Sequence, residues 1–397
     1  MKILFTIPSM YGGGAERVLK YLVDNVVAKD KILCTLENGQ KYEIDKSIKY
    51  VKLTKIDGRS SSLKKIIYFF IQYFRFVLFV RKESPDLIVS FLERSNIITI
   101  LTPTKAKKII SLRSFISKKF DDTGFNGKLV KILYKILFKK VQYFVVPTIE
   151  IKNDLINSFF INEKTIYVIN NPIDLNKINE LKVKQLEIQY QTLFKENNVL
   201  INVGNLTHPK GQWHLLKVFN EVKKIKPEYK LVIIGEGSYL DFLLKVGNEL
   251  QLKVFNYKTD TYDDEYDVYF LGYQENPFKF LFHSYLFVFS SLREGFPNAL
   301  IEAMACGLPV VSANCQSGPK EILEEGEYGV LLPEFSGNKE FMELDTIEKN
   351  WIDTILKIDE FELKKYRQLS IERVQDYNLD KIINQWNDYL SFVYDGR

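Results

Sequence analysis

Short apolar runs rich in Val, Ile, Leu and Phe alternate along the chain with longer segments in which apolar residues recur at helical spacing. The first run, residues 3–7, is followed by a glycine loop and a helical pattern over residues 15–27. Similar runs recur at residues 87–92, 199–203 and 285–289. Uninterrupted apolar runs are typical of strands buried on both faces of a parallel sheet. The pattern therefore predicts doubly wound α/β domains.

A break in this pattern lies near the middle of the chain. The length of 397 residues favours two domains over one. Two asparagines and Pro172 follow an apolar run directly, as in a loop. This loop is a candidate domain boundary, and the family resemblance given below implies an interdomain linker there. We therefore predict domains at residues 1–171 and 172–375, followed by a C-terminal segment, residues 376–397, that contains a helix.

Two segments of the first domain are unusually apolar and basic. Residues 61–82 carry aromatic side chains all round a predicted helix, with Lys and Arg near both ends. Their apolar centre is short for a membrane span. The segment is either a buried core helix or a helix that lies between the core and a membrane surface. Residues 128–140 place lysines at near-helical spacing between apolar residues, which fits either an interfacial helix or the solvated face of an ordinary one.

Composition narrows the class of protein. The net charge is +5, and no basic cluster is interleaved with stacking aromatics, so we expect no nucleic acid as a partner. The three cysteines favour a reduced, cytoplasmic protein. The sequence shows no secretory signal and no clean apolar run long enough for a membrane span. All three histidines lie in the second half and form no cluster with metal-ligand spacing, so we predict no metal site.

Residues 290–311 contain the most informative pattern in the chain. They read as a strand end, a loop, a short helix, a turn and a further strand. We predict Asn298 as the helix N-cap and Gly307 as the residue just after the helix. A helix start presents unpaired N–H groups and a partial positive charge, which suit an anion. Glu294 and Glu302 flank that start and can accept hydrogen bonds from sugar hydroxyls. The arrangement favours a nucleotide-sugar.

The same stretch resembles a known family. Glu294 and Glu302 enclose seven residues within the run Arg-Glu-Gly-Phe-Pro-Asn-Ala-Leu-Ile-Glu-Ala-Met-Ala-Cys-Gly-Leu-Pro-Val-Val. This run resembles the Glu-x7-Glu signature of the retaining glycosyltransferase family 4, of the bacterial surface-polysaccharide type. The resemblance implies the α/β GT-B fold, with two Rossmann-like doubly wound domains that face a central cleft. It also implies an acceptor-binding first domain, a nucleotide-sugar-binding second domain and a last helix that crosses back to the first.

The resemblance assigns roles to residues of the second domain. Glu294 orients hydroxyls of the donor sugar, and Glu302 accepts hydrogen bonds from the ribose. Lys210 neutralises the leaving diphosphate, whereas Asn205 stands where the family commonly has an arginine and can donate hydrogen bonds but supplies no charge. We count Glu294, Lys210 and Asn205 as catalytic. The remaining donor-side residues are Gly204, Gly237, Gly272, Tyr273, Gly295, Phe296, Pro297, Asn298, Ala299, Leu300 and Glu302.

The first domain supplies fewer motifs. Its glycine loop is not Gly-x-Gly-x-x-Gly, which disfavours a dinucleotide site. The loop is either a tight βα turn or, as the resemblance implies, a segment that faces the cleft. Many relatives use a first-domain histidine that is missing here, and Arg94 or Arg113 could replace it or form surface salt bridges. The candidate acceptor or cleft residues are Gly12, Gly13, Gly14, Glu16, Arg94 and Arg113.

Together these observations and the resemblance predict a metal-independent retaining hexosyltransferase that needs no cofactor. It would transfer a hexose or N-acetylhexosamine from a UDP-sugar to a lipid-linked or growing surface polysaccharide, such as a capsule or lipopolysaccharide. We expect the donor to be linked to UDP rather than to GDP. We expect it in the cytoplasm, bound peripherally to the inner face of the plasma membrane. The alternative is a catalytically weak, nucleotide-sugar-binding partner subunit of another glycosyltransferase, motivated by Asn205 and the missing histidine.

Overall fold

A computed structural model describes residues 1–55, 62–117, 124–339 and 343–396, without the side chains of residues 62–66 and 124–126. The chain divides into two compact units. Unit 1 comprises Met1–Pro172 together with Leu379–Arg397, and unit 2 comprises Ile173–Asn378. The C-terminal helix therefore packs as part of unit 1.

Unit 1 is built on a parallel sheet with seven strands in its described residues, in the order β3-β2-β1-β4-β5-β6-β7. The strands are β1 Lys2–Ile7, β2 Asp30–Thr35, β3 Lys49–Lys52, β4 Leu87–Phe91, β5 Lys107–Ser111, β6 Tyr143–Val146 and β7 Ile166–Val168. The helices are α1 Gly14–Asn25, α2 Ser62–Glu83, α3 Glu93–Leu101, α4 Gly124–Phe138, α5 Ile149–Phe159 and α15 Leu379–Asp395.

The helices of unit 1 cover opposite faces of its sheet. Alternate strand residues such as Phe5 and Val89 pack against α1 and α15, where Phe91 stacks on Trp386 with ring centroids 6.3 Å apart. The intervening residues pack against α2 and α3 at one end of the sheet and against α4 and α5 at the other. This alternation explains the uninterrupted apolar runs, since both faces of every central strand are buried.

Unit 2 repeats the plan, with seven described strands in the order β10-β11-β9-β8-β12-β13-β14. They are β8 Asn198–Val203, β9 Tyr229–Ile234, β10 Val254–Asn256, β11 Val268–Gly272, β12 Leu286–Phe289, β13 Val310–Ala313 and β14 Val330–Leu332. The helices are α6 Leu175–Lys182, α7 Ile188–Glu196, α8 Gln212–Ile225, α9 Leu240–Glu249, α10 Phe278–Phe282, α11 Asn298–Ala305, α12 Pro319–Ile322, α13 Thr346–Lys357 and α14 Glu360–Arg373.

The predicted fold class is confirmed, because each unit is a Rossmann-like α/β structure on a parallel sheet. The sequence predicts a helical segment over residues 61–82, and the structure has α2 at Ser62–Glu83, while residue 61 lies outside the described residues. Within the described part of the chain, no helix is both long enough and apolar enough to cross a membrane.

The packing of α15 predicts a large stability effect for one side chain. Trp386 is fully buried between α15 and the sheet. We expect Trp386→Ala to lower the free energy of unfolding of unit 1 by about 3–5 kcal/mol, because it leaves a large cavity. Asp388→Ala, an exposed change on the same helix, should alter it by about 0.5 kcal/mol or less. Calorimetry of the full chain measures both changes, and equal effects would contradict the described packing.

Candidate active site

The sheet order of unit 2 brings two loops side by side. Strands β8 and β12 are neighbours, but the chain continues from β8 towards β9 on one side and from β12 towards β13 on the other. The loops after these two strands therefore diverge and leave a crevice at the carboxyl edge, where open α/β sheets bind ligands. Lys210 lies in the loop after β8, and Glu294 lies in the loop after β12.

The carboxylate of Glu294 makes the closest side-chain contact between these two loops. Its Oε1 accepts hydrogen bonds from Lys210 Nζ at 2.6 Å and from Ser291 Oγ at 2.7 Å. The Glu294 side chain is only 12% exposed. Its second oxygen, Oε2, accepts no hydrogen bond from the described residues. One carboxylate oxygen is thus fixed by the protein, while the other remains available as an acceptor.

The loop around Glu294 is held by the segment after β13. The Glu294 amide donates to the Gln316 carbonyl at 2.6 Å, and the Ser317 amide donates back to the Glu294 carbonyl at 3.1 Å. Ser317 Oγ donates to the Gly295 carbonyl at 2.8 Å. These long-range bonds restrain the loop on both sides of Glu294, so its carboxylate has a defined position.

Helix α11 begins one residue earlier than predicted. Pro297, with φ −79° and ψ 81°, is its N-cap, and Asn298 is the first helical residue. The prediction of Asn298 as N-cap was wrong, because Pro297 ends the extended loop and its carbonyl already accepts from the Leu300 amide. No side chain caps this helix start. The backbone amides of Gly295, Phe296 and Ala299 have no acceptor among the described residues, so they can bind an anion.

The loop that carries Lys210 is joined directly to the β12 loop. Ser290 Oγ donates to the Lys210 carbonyl, and the Leu292 amide donates to the Pro209 carbonyl, each at 2.8 Å. Gly211 has φ +61°, and a Cβ there would lie 2.4 Å from the Ser290 carbonyl oxygen. Only glycine allows this close approach of the two loops. The Lys210–Glu294 pair therefore rests on a rigid backbone connection.

Glycines also line the neighbouring strand ends. The Gly204 amide donates to the Ile234 carbonyl, and the Gly235 amide donates to the Gly272 carbonyl. A Cβ on Gly235 would lie 2.0 Å from the Gly204 carbonyl oxygen, and one on Gly237 would lie 2.1 Å from that of Leu206. The loops after β8, β9 and β11 thus pack backbone against backbone at the edge that bears Lys210.

The other predicted donor-side residues occupy varied environments. Asn205 is exposed, and its carbonyl accepts from Gln212 Nε2 at 3.2 Å. Glu302 lies in the second turn of α11 and is 7% exposed. Phe296 is buried against Tyr377, with ring centroids 5.8 Å apart, whereas Tyr273 is exposed. Among these predicted residues, a described contact joins Lys210 to Glu294, and the functional roles of all of them stay predictions.

Unit 1 has its own divergence of loops, between β1 and β4. The glycine loop follows β1, with Gly13 as the N-cap of α1 and Gly14 as its first residue. Gly12 has φ +109°, and a Cβ on Gly13 would meet a Glu16 carboxylate oxygen at 2.5 Å. Burial raises the pKa of Glu16, although backbone amides of Gly13 and Glu16 hydrogen-bond to its carboxylate. Glu16 thus folds back onto the start of its own helix.

The two candidate arginines differ in their surroundings. Arg94 forms an ion pair with Glu37 at 2.6 Å, as the salt-bridge interpretation expects. Arg113 lies over the Phe91 ring at 4.7 Å and donates from one Nη to Asn171 Oδ1 at 2.8 Å. Burial lowers its pKa to about 9, and its Nε and second Nη have no hydrogen-bond partner in the described residues. Of the two, Arg113 retains unused donors.

Sequence reasoning missed several residues that hold the site. Ser291, Gln316, Ser317 and Gly235 position Glu294 and its neighbouring loops through the contacts above. Only Gly235 carried a detectable signal, as a glycine directly after a predicted strand. The contacts of the other three depend on which loops the sheet order brings together. In the described residues, no group of three or more His, Cys, Asp or Glu side chains could hold a metal ion.

Comparison with known proteins gives the family. The model for "Glycosyltransferase Family 4" matches residues 12–177, and that for "Glycosyl transferases group 1" matches residues 183–349. A glycosyltransferase of Methanocaldococcus jannaschii is 33% identical over 342 residues, which cover 79% of this chain and 81% of that protein. The chain belongs to the GT-B glycosyltransferases.

Further relatives of this glycosyltransferase have more specific names. The N-acetylgalactosamine-N,N'-diacetylbacillosaminyl-diphospho-undecaprenol 4-alpha-N-acetylgalactosaminyltransferase of Campylobacter jejuni is 28% identical over 87% of this chain and 90% of its own. The crystal structure of HepE from Anabaena, in complex with UDP and glucose, superposes with a TM-score of 0.74 at 19% identity, over 98% of this chain and 99% of that one. The latter likeness supports the fold alone.

The close backbone packing in unit 2 of the glycosyltransferase can be tested at Gly235. We expect Gly235→Ala to lower the free energy of unfolding by about 3 kcal/mol or more, because strain from the positive φ and a steric clash add together. Gly326→Ala is the matched control, since Gly326 also has a positive φ, of +104°, but the nearest atom to its Cβ lies at 3.8 Å. It should cost about 1–2 kcal/mol.

Calorimetry of the full chain measures both glycine variants. Equal losses would show that Gly235 contributes only its backbone conformation and would contradict the close contact with Gly204.

Proposed function

We propose that this glycosyltransferase transfers a hexose or N-acetylhexosamine from a UDP-sugar to a lipid-linked or growing surface glycan, with retention of anomeric configuration and without a metal ion. The observation that carries the proposal is the Lys210–Glu294 pair beside uncapped amides of α11. A cation, a carboxylate with one open oxygen and free N–H groups fit a diphosphate joined to a sugar.

The ammonium of Lys210 can bind Glu294 and a diphosphate at the same time. A lysine has three N–H donors, and the structure uses one of them on Glu294. The others can donate to phosphate oxygens while the pair with Glu294 persists. The uncapped amides of Gly295, Phe296 and Ala299 then add donors to the same diphosphate. Fixed donors of this kind stabilise charge that develops on a leaving group.

Glu294 would act on the sugar rather than on the proton. Its Oε2 can accept from a donor-sugar hydroxyl, because Oε1 is already occupied by Lys210 and Ser291. In the proposed reaction, the bond from the anomeric carbon to the diphosphate oxygen breaks and a bond to the acceptor oxygen forms on the same face. The acceptor proton passes to the departing diphosphate. Glu302 would accept hydrogen bonds from the ribose.

The relatives support the substrate classes. The Campylobacter enzyme already described and a second one of that organism, 23% identical over 84% of both chains, have names that specify undecaprenol-linked acceptors and N-acetylgalactosaminyl transfer. HepE binds UDP and glucose. By analogy we propose a UDP-sugar donor and a lipid-linked or polysaccharide acceptor for this chain, at the cytoplasmic face of the membrane. These names do not favour the alternative of a catalytically weak, nucleotide-sugar-binding partner subunit.

The test measures turnover of a panel of UDP- and GDP-sugars with undecaprenyl-diphosphate-linked acceptors in the presence of EDTA. NMR gives the stereochemistry of the product. We expect one UDP-sugar to turn over with retention, and we expect Glu294→Gln and Glu302→Gln each to lower kcat/KM by about 100-fold or more. Glu372→Gln, an exposed change on α14, should leave turnover unchanged. Inversion or a requirement for Mn²⁺ would contradict the proposed mechanism, and nucleotide-sugar binding without turnover would favour the partner-subunit alternative.

Lys210 provides a separate test of leaving-group stabilisation. We expect Lys210→Met to lower kcat by about 100–1,000-fold, because no other described side chain supplies a cation to Glu294. Lys210→Arg should recover part of the loss, since it keeps the charge. Lys357→Met, which removes an exposed lysine paired with Asp353, is the control and should not change kcat. Loss of stability with unchanged kcat would assign Lys210 a structural role only.

A further inference from the structure

One exposed face of α2 is apolar along most of its length. Ile67, Phe70, Ile71, Phe74 and Leu78 are 37–63% exposed and follow the spacing of a single helix face. The opposite side of α2 packs into unit 1 through Phe76 and Val80. The exposed stripe extends about 16 Å along the helix axis. A soluble surface rarely exposes so many large apolar side chains together, so the stripe calls for an occupant.

Helix α4 has a stripe of the same kind. Leu129, Ile132, Leu133 and Ile136 are 50–61% exposed and also recur at i, i+3, i+4 and i+7. Its buried side packs into unit 1 through Tyr134, Leu137 and Phe138. The two helices are therefore not simply buried core helices, because each presents a second apolar face to solvent.

Both stripes lie on the same side of unit 1. Helices α1 and α15 cover one face of the sheet, whereas α2, α3 and α4 pack against strand residues of the opposite face. The shorter α3 lies between the other two, in contact with both, and Tyr73 Oη of α2 donates to the Leu101 carbonyl at the end of α3. We call the outward surface of α2 and α4 the paired-stripe face.

Basic residues border the paired-stripe face. Residues 62–83 and 124–140 contain ten Lys and Arg but a single acidic residue, Glu83. Glu83 is buried and paired with Lys2 and Lys49, so it does not offset the exposed charge. On α4, Lys128, Lys131 and Lys135 follow one edge of the stripe at helical spacing. This pattern of an apolar stripe with a lysine row matches a helix at an anionic interface.

We propose that the paired-stripe face docks onto an anionic lipid bilayer, with the two apolar stripes in the headgroup boundary and the flanking Lys and Arg on lipid phosphates. The charge distinguishes this occupant from a second copy of the chain, since two such faces would repel each other. The inference deepens the proposed function, because it rests on an acceptor that is lipid-linked and would bring the enzyme to it. Binding to lipid can nevertheless be measured without donor or acceptor.

The test is flotation of the full-length chain with vesicles of phosphatidylcholine alone and of phosphatidylcholine with phosphatidylglycerol. We expect binding only to the anionic vesicles, weakened at high salt because screening reduces the attraction. The double variant Phe74→Ser/Ile136→Ser should weaken it by about tenfold or more, since two exposed apolar side chains no longer enter the interface. The matched control is Phe361→Ser/Ile188→Ser, which removes the same side-chain types from exposed positions of unit 2.

Several outcomes would overturn the proposal. These are an unmodified chain that binds neither kind of vesicle, equal losses in the two double variants, or a dimer that the Phe74→Ser/Ile136→Ser change dissociates. Equal binding to neutral and anionic vesicles would remove the role of the basic residues. Turnover on a short-chain soluble acceptor distinguishes a failure of membrane docking from a failure of the proposed transferase function. We expect this turnover to be unchanged in Phe74→Ser/Ile136→Ser. If the unmodified chain showed no such turnover, that result would count against the proposed function alone.

Discussion

The parallel direction of the strands in unit 2 is the constraint on which its site depends. Parallel strands bring their carboxyl ends to one edge, so the loops after β8, β9, β11 and β12 must share a small space. At two positions the backbones of these loops come so close that only glycine fits. A Cβ on Gly235 would collide with the carbonyl of Gly204, and a Cβ on Gly211 would collide with that of Ser290. Because these loops cannot separate freely, Lys210 and Glu294 meet at 2.6 Å although they are 84 positions apart in the sequence.

Sequence reasoning identified the participants of this site better than their contacts. The strand–loop–helix pattern and the family signature were sufficient to single out Glu294 and Lys210. The pattern did not show that Ser291 and Lys210 share one oxygen of Glu294, or that Gln316 and Ser317 hold its backbone. Those bonds join loops that are distant in sequence, and hydrophobic periodicity carries no information about loop pairing. The prediction of Asn298 as the N-cap was wrong for a local reason, because the preceding residue, Pro297, occupies the N-cap position.

The two candidate arginines show why residue type and strand position are insufficient in unit 1. Arg94 and Arg113 both follow sheet strands, and the sequence left a ligand contact and a salt bridge open for each. The structure pairs Arg94 with Glu37, whose side chain is nearly buried. It places Arg113 against Phe91 and Asn171, where burial lowers its pKa to about 9. The difference arises from long-range neighbours, since Glu37 and Asn171 lie 57 and 58 residues away.

The apolar helices of unit 1 posed a related ambiguity that the sheet topology resolves. A helix with apolar residues all round can be surrounded by protein or exposed to another apolar medium, and periodicity alone does not separate the two. In unit 1, α15 returns to cover the sheet face that α1 shares, and its Trp386 and Leu390 contribute to that core. No described helix covers the outer faces of α2 and α4 in the same way. Their second apolar faces therefore remain at the surface, and the lysines beside them fit the anionic lipid interface that we propose for this face.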